Sequence, residues 1–173
     1  MLDIREVLLD GLEQMNSEML MVLNDVSTEQ MNWLPAGKSV SIGFNAWHVL
    51  RTQDNIANFV MQRKQPVWIE QGFFERMNLP KVDQGTGMTM EDARKLVIPD
   101  RQVLLDYAAA SAKSCMEYVK VMPAEVMEEI QPIKPLGEMP KWKVFRRVIM
   151  THGFTHIGEI NGHKGQLGLS IGI

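Results

Sequence analysis

Two histidines four residues apart near the C-terminus are the strongest candidates for chemistry in this chain. They lie in the run His152-Gly-Phe-Thr-His156, whose flanking residues have helical spacing. Residues i and i+4 of a helix have Cβ atoms about 5–6 Å apart, so two ring nitrogens can bind one ion at roughly 2.0–2.1 Å each. His48 lies in another helical segment, distant in sequence, and is the best candidate for a third ligand. The spacing predicts half of a metal site, completed from a facing helix.

The polar face that carries this pair continues to Glu159 and His163. A second interpretation is that these side chains are solvated, or that the histidines cap nearby carbonyls, and spacing does not choose between the two. Gly153 stands where the motif His-Glu-x-x-His has its catalytic glutamate, which excludes that metalloprotease motif. Glu159 could orient a ligand or act as a base, and it could equally be an exposed solvated carboxylate.

His48 has apolar neighbours on its helix, so it could also be a core histidine satisfied by one hydrogen bond. Arg51 and Asn55 follow on nearly the same helix face. They could bind an anionic substrate group, or support a metal ligand by fixing the tautomer of an imidazole. An ordinary surface network explains them slightly better. No residue is assigned a catalytic role from the sequence.

The elements that must position these residues are four long helices. Apolar residues at three- and four-residue steps indicate one helix near the N-terminus and others at about residues 41–62, 100–122 and 141–168. A long connection between the second and third helices, from residue 63 to about 99, has repeated prolines and glycines and room for short helical pieces. This pattern predicts an all-α fold, a four-helix bundle in which metal sites form from inward side chains on facing helices.

Two further segments carry predictions about packing. Aromatic residues in the long connection give residues 68–88 enough apolar mass to form a lid or wall over a pocket. The last helix has an unusual set of glycines, each of which costs up to about 1 kcal/mol relative to alanine. Close packing against a neighbouring helix or a second subunit would offset that cost. The glycines are Gly153, Gly158, Gly162, Gly165 and Gly168.

Composition bounds the class of protein. The chain has 173 residues, 45% of them hydrophobic, which suits a single domain over residues 1–173. A net charge of −3 gives no broad attraction to nucleic acid or anionic lipid. With a single cysteine, Cys115, the chain cannot form an internal disulfide, which fits a reducing compartment. Cys115 is expected to be a buried, inert thiol. With no signal-peptide pattern and no bilayer-spanning stretch, the sequence predicts a cytoplasmic protein with no membrane partner.

Together these motifs resemble the DinB/YfiT-like family of metal-dependent helical proteins, which is unrelated to the DNA polymerase of the same name. Residues 46–54, Ala-Trp-His-Val-Leu-Arg-Thr-Gln-Asp, resemble the family's Trp-His-x-x-Arg-x-x-Asp segment. Residues 156–165, His-Ile-Gly-Glu-Ile-Asn-Gly-His-Lys-Gly, are similar to its His-x-Gly-Gln closing helix, with Glu159 where glutamine is common. The resemblance covers nearly the whole chain.

The resemblance implies a bundle that holds a divalent metal, often zinc or nickel, on three histidines that map to His48, His152 and His156. Homodimers are frequent in the family. Its characterised members include thiol-dependent transferases and isomerases that use low-molecular-weight thiols such as bacillithiol or mycothiol. The expected function is therefore a metal-dependent transferase or hydrolase acting on a small molecule. The alternative is a noncatalytic ligand-binding or stress-response dimer in which the metal is structural or absent.

Overall fold

Helices make up most of the chain in the computed structural model, which describes residues 3–37 and 39–171. Residues 1–2, 38 and 172–173 of the predicted domain lie outside the described residues. The prediction of a helical fold class is confirmed. The helices before the long connection are α1 (Ile4–Asn24), α2 (Thr28–Met31) and α3 (Ile42–Asp54). The connection itself contains the short helices α4 (Val67–Glu70), α5 (Phe73–Met77) and α6 (Met90–Lys95). It is followed by α7 (Arg101–Val121) and α8 (Ala124–Glu128).

Two helices contain stretches of π-helix, in which hydrogen bonds span five residues instead of four. The first π segment, Asn55–Val60, extends α3. The second π segment, Phe145–Thr151, joins α9 (Lys141–Val144) to α10 (His152–Gln166). The second and fourth long helices therefore have the predicted extents, but their hydrogen bonding changes partway along.

Short polar residues begin the long helices where the sequence predicts them. The Ser41 hydroxyl accepts a hydrogen bond from the backbone N–H of Phe44 at 3.0 Å. The Asp100 carboxylate accepts one from the N–H of Gln102 at 2.8 Å. Each cap satisfies an N–H group that has no partner within its own helix.

The four longest helical elements surround a common apolar core. α1 contacts α7 and α10, and α3 contacts the same two helices, so each long helix packs against two others. Fully buried aromatic side chains fill the space between them. The largest are Trp47, Trp68, Tyr107 and Phe145. None of the described helices combines the length and the apolar character needed to cross a bilayer.

A β-hairpin that the sequence analysis did not predict connects α8 to α9. Its antiparallel strands are β1 (Ile130–Ile133) and β2 (Gly137–Pro140), paired from Ile130↔Pro140 to Ile133↔Gly137. The sequence predicts only a gap between helices here, from about residue 122 to residue 141. In a two-stranded sheet both strands are edge strands, which tolerate proline because one side of each needs no ladder hydrogen bond.

The glycines of the last helix pack less closely than predicted. A Cβ atom at Gly153 would lie 2.2 Å from Met15 Sδ of α1, so this position does require a small residue. At Gly158 and Gly162 a Cβ atom would meet nothing within 4 Å among the described residues. Close packing against a neighbouring helix is therefore limited to one glycine of this face. Contact with a second subunit stays a prediction.

Candidate metal centre

Two contacting helices bring the three predicted histidines together. His48 lies in the middle of α3, while His152 and His156 occupy the first turns of α10, directly after the second π segment. A π turn shifts the register of the side chains that follow it, and such turns are frequent at functional sites. The predicted pair does lie on one helix face, and that face points at α3.

The Nε2 atoms of the three rings converge. His152 Nε2 lies 3.0 Å from His48 Nε2 and 3.1 Å from His156 Nε2, and one ligand atom from each ring lies within 4.8 Å of the others. Two nitrogens that bind one ion at roughly 2.0–2.1 Å are separated by about 3 Å when the angle at the metal is near a right angle or somewhat wider. The separations fit three ligands on one ion.

Hydrogen bonds at the far side of two rings fix which nitrogen is free. His48 Nδ1 lies 2.5 Å from the carbonyl oxygen of Gln84, and His156 Nδ1 lies 2.7 Å from Glu159 Oε2. A carbonyl oxygen is always a hydrogen-bond acceptor, and so is an oxygen of an ionised carboxylate. Each Nδ1 is therefore the donor and carries the proton. In this tautomer the Nε2 lone pair of each ring faces the centre of the cluster.

The third ring has no such partner. His152 Nδ1 is buried without a hydrogen bond among the described residues. If the single proton of this ring is on Nε2, it can point at only one of the two neighbouring Nε2 lone pairs, and the other is left without a donor. If the proton is on Nδ1, the Nε2 lone pair of His152 faces both neighbouring lone pairs at about 3 Å and is repelled by them. A bound cation would remove this repulsion. The donor set therefore fits a divalent metal ion.

Burial keeps two of these rings neutral, as metal binding requires. Burial, and then the nearby His48 and His156, lower the pKa of His152 to about 3. The pKa of His48 is also lowered, first by burial and against the opposing effect of its bond to Gln84. Imidazole nitrogens suit zinc, nickel, iron and copper, so the rings alone do not select the ion.

Arg51 does not lie in a surface network, so that interpretation is wrong for this residue. Its side chain is 1% exposed and packs over the Trp68 ring, with 5.2 Å between Cζ and the ring centroid. It donates hydrogen bonds to the carbonyls of Val82 and Asp83 at 3.4 and 3.2 Å. Arg51 thereby ties down the segment that presents the next carbonyl, that of Gln84, to His48.

A cavity of about 680 Å³ opens beside the cluster. His48 and His152 line it, as does Asn55, the first residue of the first π segment. Residues 84–87 form another part of the wall, which agrees with the expectation that the long connection shapes a pocket. The aromatic residues of that connection instead enter the core, where Trp68 and Phe73 pack around Tyr107.

His163 lies apart from the cluster although it shares the polar face of α10. Its Nε2 atom lies 2.9 Å from the Ser39 hydroxyl, and the side chain is buried. Cys115 is buried as predicted, and burial raises the pKa of its thiol to about 12. Neither residue contributes to the candidate site.

Several residues of this site were not found from the sequence, among them Gln84, Lys134 and Arg147. Gln84 contributes a backbone carbonyl, which no side-chain motif can reveal. Lys134 and Arg147 reach the cavity from the hairpin and the second π segment, two features absent from the sequence prediction. Only the glycines beside Gln84 indicated a tight backbone there.

The fold and the site define a mostly helical protein with a three-histidine cluster beside a cavity. A family model described as the DinB superfamily matches residues 11–160, and the chain belongs to that superfamily. A crystal structure of a conserved protein from Enterococcus faecalis aligns with a TM-score of 0.84 at 20% identity, covering 97% of this chain and 99% of that chain. At this identity the likeness shows the fold alone. No curated protein matches the chain significantly.

Proposed function

We propose that this protein is a divalent-metal-dependent enzyme that acts on a small molecule, as a thiol-dependent transferase or hydrolase. One observation carries the proposal: three Nε2 atoms converge, and two of their rings, His48 and His152, line a cavity. A protein that used the cluster only to join its helices would have no need to place it against open space.

In this proposal His48, His152 and His156 hold the ion, with zinc or nickel as the leading candidates. When bound, a divalent ion supplies Lewis acidity and lowers the pKa of a water or thiol that it coordinates. Gln84 and Glu159 orient two of the rings, and Asn55 is available to bind substrate in the cavity. A low-molecular-weight thiol as cosubstrate is suggested by the family resemblance.

Elemental analysis of untagged protein purified without chelator tests the metal site. We expect near-stoichiometric metal in the native protein and its loss in the His152→Ala/His156→Ala double variant. His163→Gln is the matched control, because it removes an imidazole from the same helix outside the cluster. If the double variant retains as much metal as the control, the three-histidine site is wrong.

A noncatalytic binding protein is the second candidate. The described residues that line the cavity include no aspartate or glutamate, so no carboxylate there is available as a general base. A screen of thiols with small electrophiles separates the candidates. Metal-dependent turnover that is lost in His152→Ala supports the enzyme, whereas saturable binding without turnover supports the binding protein.

Three predictions about the whole protein accompany this proposal. The contacts of α1, α3, α7 and α10 support a four-helix bundle. The homodimer rests on the family resemblance and on Gly158 and Gly162, whose surroundings leave room for a partner. Light scattering that shows a monomer across working concentrations would remove the dimer. The cytoplasmic location stays a prediction.

A further inference from the structure

The cavity beside the histidine cluster has a positive lining in a negatively charged protein. Its described lining residues include two cations, Lys134 and Arg147, and no aspartate or glutamate. The chain as a whole carries a net charge of −3. The lining therefore reverses the overall charge at the place where a substrate would enter.

Both cations are free to bind a ligand. Lys134 lies in the turn between β1 and β2, and Arg147 lies in the second π segment. Both residues are exposed, and neither side chain has an ion pair or hydrogen bond with the described residues. By contrast, Lys141 and Lys164, which are more buried, are each paired with a carboxylate at 2.6 Å.

The other lining residues of the cavity indicate what the rest of the ligand is like. Apolar side chains from the first π segment and from the hairpin face the same space, among them Ile56, Val60, Ile133 and Leu136. Thr52 also lines the cavity. It is 6% exposed, and its buried hydroxyl has no hydrogen-bond partner among the described residues. A ligand with a short apolar chain would pack against the apolar side chains, and one polar group on it could bond the Thr52 hydroxyl.

We propose that the substrate of this site carries an oxyanion, a carboxylate or phosphate, that binds Lys134 and Arg147 while its apolar body extends toward the histidine cluster. A guanidinium and an ammonium both form charge-assisted hydrogen bonds with such a group. The hairpin and the second π segment thus select the substrate. This inference rests on the proposed metal-dependent function, because it assigns the substrate class of the same cavity.

The test compares matched acidic and neutral probes on protein loaded with cobalt(II), whose content is checked by elemental analysis. The probes are ω-mercapto carboxylates and phosphonates of three to six carbons, each paired with the corresponding ω-mercapto amide. Isothermal titration calorimetry gives each Kd for the native protein and for the Lys134→Gln/Arg147→Gln double variant. Arg146→Gln is the matched control, since Arg146 precedes Arg147 but does not line the cavity.

We expect the native protein to bind the best acidic probe roughly tenfold more tightly than its amide, a preference typical of complementary charges in a partly open site. The double variant should reduce this preference to less than about twofold and leave the amide affinity unchanged. Arg146→Gln should retain the preference. An acid preference that persists in the double variant overturns the inference, because the metal alone would then explain it.

Failure of the metal site would be recognised separately, as a lack of stoichiometric cobalt. The comparison is then repeated on the metal-free protein with hexanoate and hexanamide. A preference for hexanoate that is lost in the double variant supports the oxyanion site even though the metal proposal fails. Equal binding of the two, or no binding of either, overturns it.

Discussion

Each ring of the candidate metal centre differs in what holds it. A backbone carbonyl fixes His48, a carboxylate fixes His156, and His152 has no partner on Nδ1 among the described residues. A carboxylate that accepts from a metal-binding imidazole makes the ring a stronger ligand. Glu159 should therefore affect metal affinity through His156 without touching the ion.

Replacing Glu159 should weaken metal binding. Loss of such a partner typically lowers affinity about 10–100-fold, and because Glu159 is 48% exposed we expect about tenfold for Glu159→Ala. Glu159→Gln keeps an acceptor but loses the charge, so its metal affinity should lie between those of the native protein and Glu159→Ala. Chelator competition measures the affinity, with Glu125→Ala as control for a carboxylate outside the site. Equal affinity in Glu159→Ala and native protein would show that this bond has no such role.

The low pKa of His152 predicts acid sensitivity of the metal-free protein. Its pKa is about 3 in the folded chain, because of burial, and about 6.5 when unfolded, so the unfolded state binds more protons between these values. The free energy of unfolding should therefore fall as the pH drops from about 6.5 toward 3. Because the ring is partly exposed, we expect His152 to account for a loss on the order of 1 kcal/mol by pH 5.

Urea unfolding at pH 7.5 and pH 5, with chelator present, measures this effect. The His152→Ala variant should lose less stability on acidification than the native protein, since it has no imidazole to protonate at that site. Identical pH dependence in the native protein and His152→Ala would contradict the assignment.

At the scale of elements, the segment that contains Gln84 depends on two glycines in the left-handed backbone conformation. Gly85 has φ +87°, and a Cβ atom there would lie 3.0 Å from both His48 Nδ1 and Phe44 Cζ. Gly87 has φ +81° but nothing within 4 Å of such an atom. The two glycines therefore share the same backbone requirement, and only one of them also contacts the metal centre.

Alanine at these two positions should separate backbone strain from site geometry. Each substitution should destabilise the protein by about 1–2 kcal/mol, because alanine resists the left-handed conformation. Gly85→Ala should in addition lower metal affinity, since the new methyl group displaces the carbonyl that orients His48. Urea unfolding and chelator competition give the two quantities. Equal metal affinity in Gly85→Ala and Gly87→Ala would show that the loop does not support the ligand.

Asp54 joins α3 to the start of α4 and to α7. This fully buried carboxylate accepts hydrogen bonds from the backbone N–H groups of Val67 and Trp68, both at 2.9 Å. It also accepts from the Tyr107 hydroxyl and the Asn58 amide, both at 2.8 Å. The start of α4 has no side-chain cap of its own, so Asp54 takes that role from a distance.

Asp54→Asn should be strongly destabilising. The asparagine amide would face donors with a donor, and Arg51, 3.7 Å away, would lose its partner charge in a buried site. We expect a loss of about 3 kcal/mol in the free energy of unfolding. Asp106→Asn is the control, because its ion pair with Arg76 is exposed and should be worth less than about 1 kcal/mol. Similar losses for the two variants would contradict this role.

Sequence patterns predict the long helices because these depend on local spacing. They also place His152 and His156 on one face, since four residues make about one turn. The π segments and the hairpin cannot be predicted from such patterns, because tertiary packing decides their hydrogen-bond register. Arg51 shows the same limit. The sequence predicts its position on the helix, but not that the chain around Val82 covers its side chain.

At the scale of the whole molecule, the cluster couples two helices far apart in the chain. His48 and His152 are separated by 104 positions, yet their Nε2 atoms lie 3.0 Å apart. The unfolded chain holds no such arrangement. An ion bound by both helices therefore favours the folded state, and it raises the free energy of unfolding by an amount that grows with the ratio of free metal concentration to Kd.

Metal should raise the unfolding midpoint of the native protein in a concentration-dependent way. At a free concentration of 100 times Kd, the added stability is about 2.7 kcal/mol, provided the unfolded chain does not bind the ion. His48→Ala should abolish most of this increase, because the two histidines of α10 then bind without holding α3. His163→Gln should retain it. Thermal unfolding across a series of zinc concentrations makes the measurement, and an equal rise in His48→Ala and native protein would mean that the ion binds α10 alone.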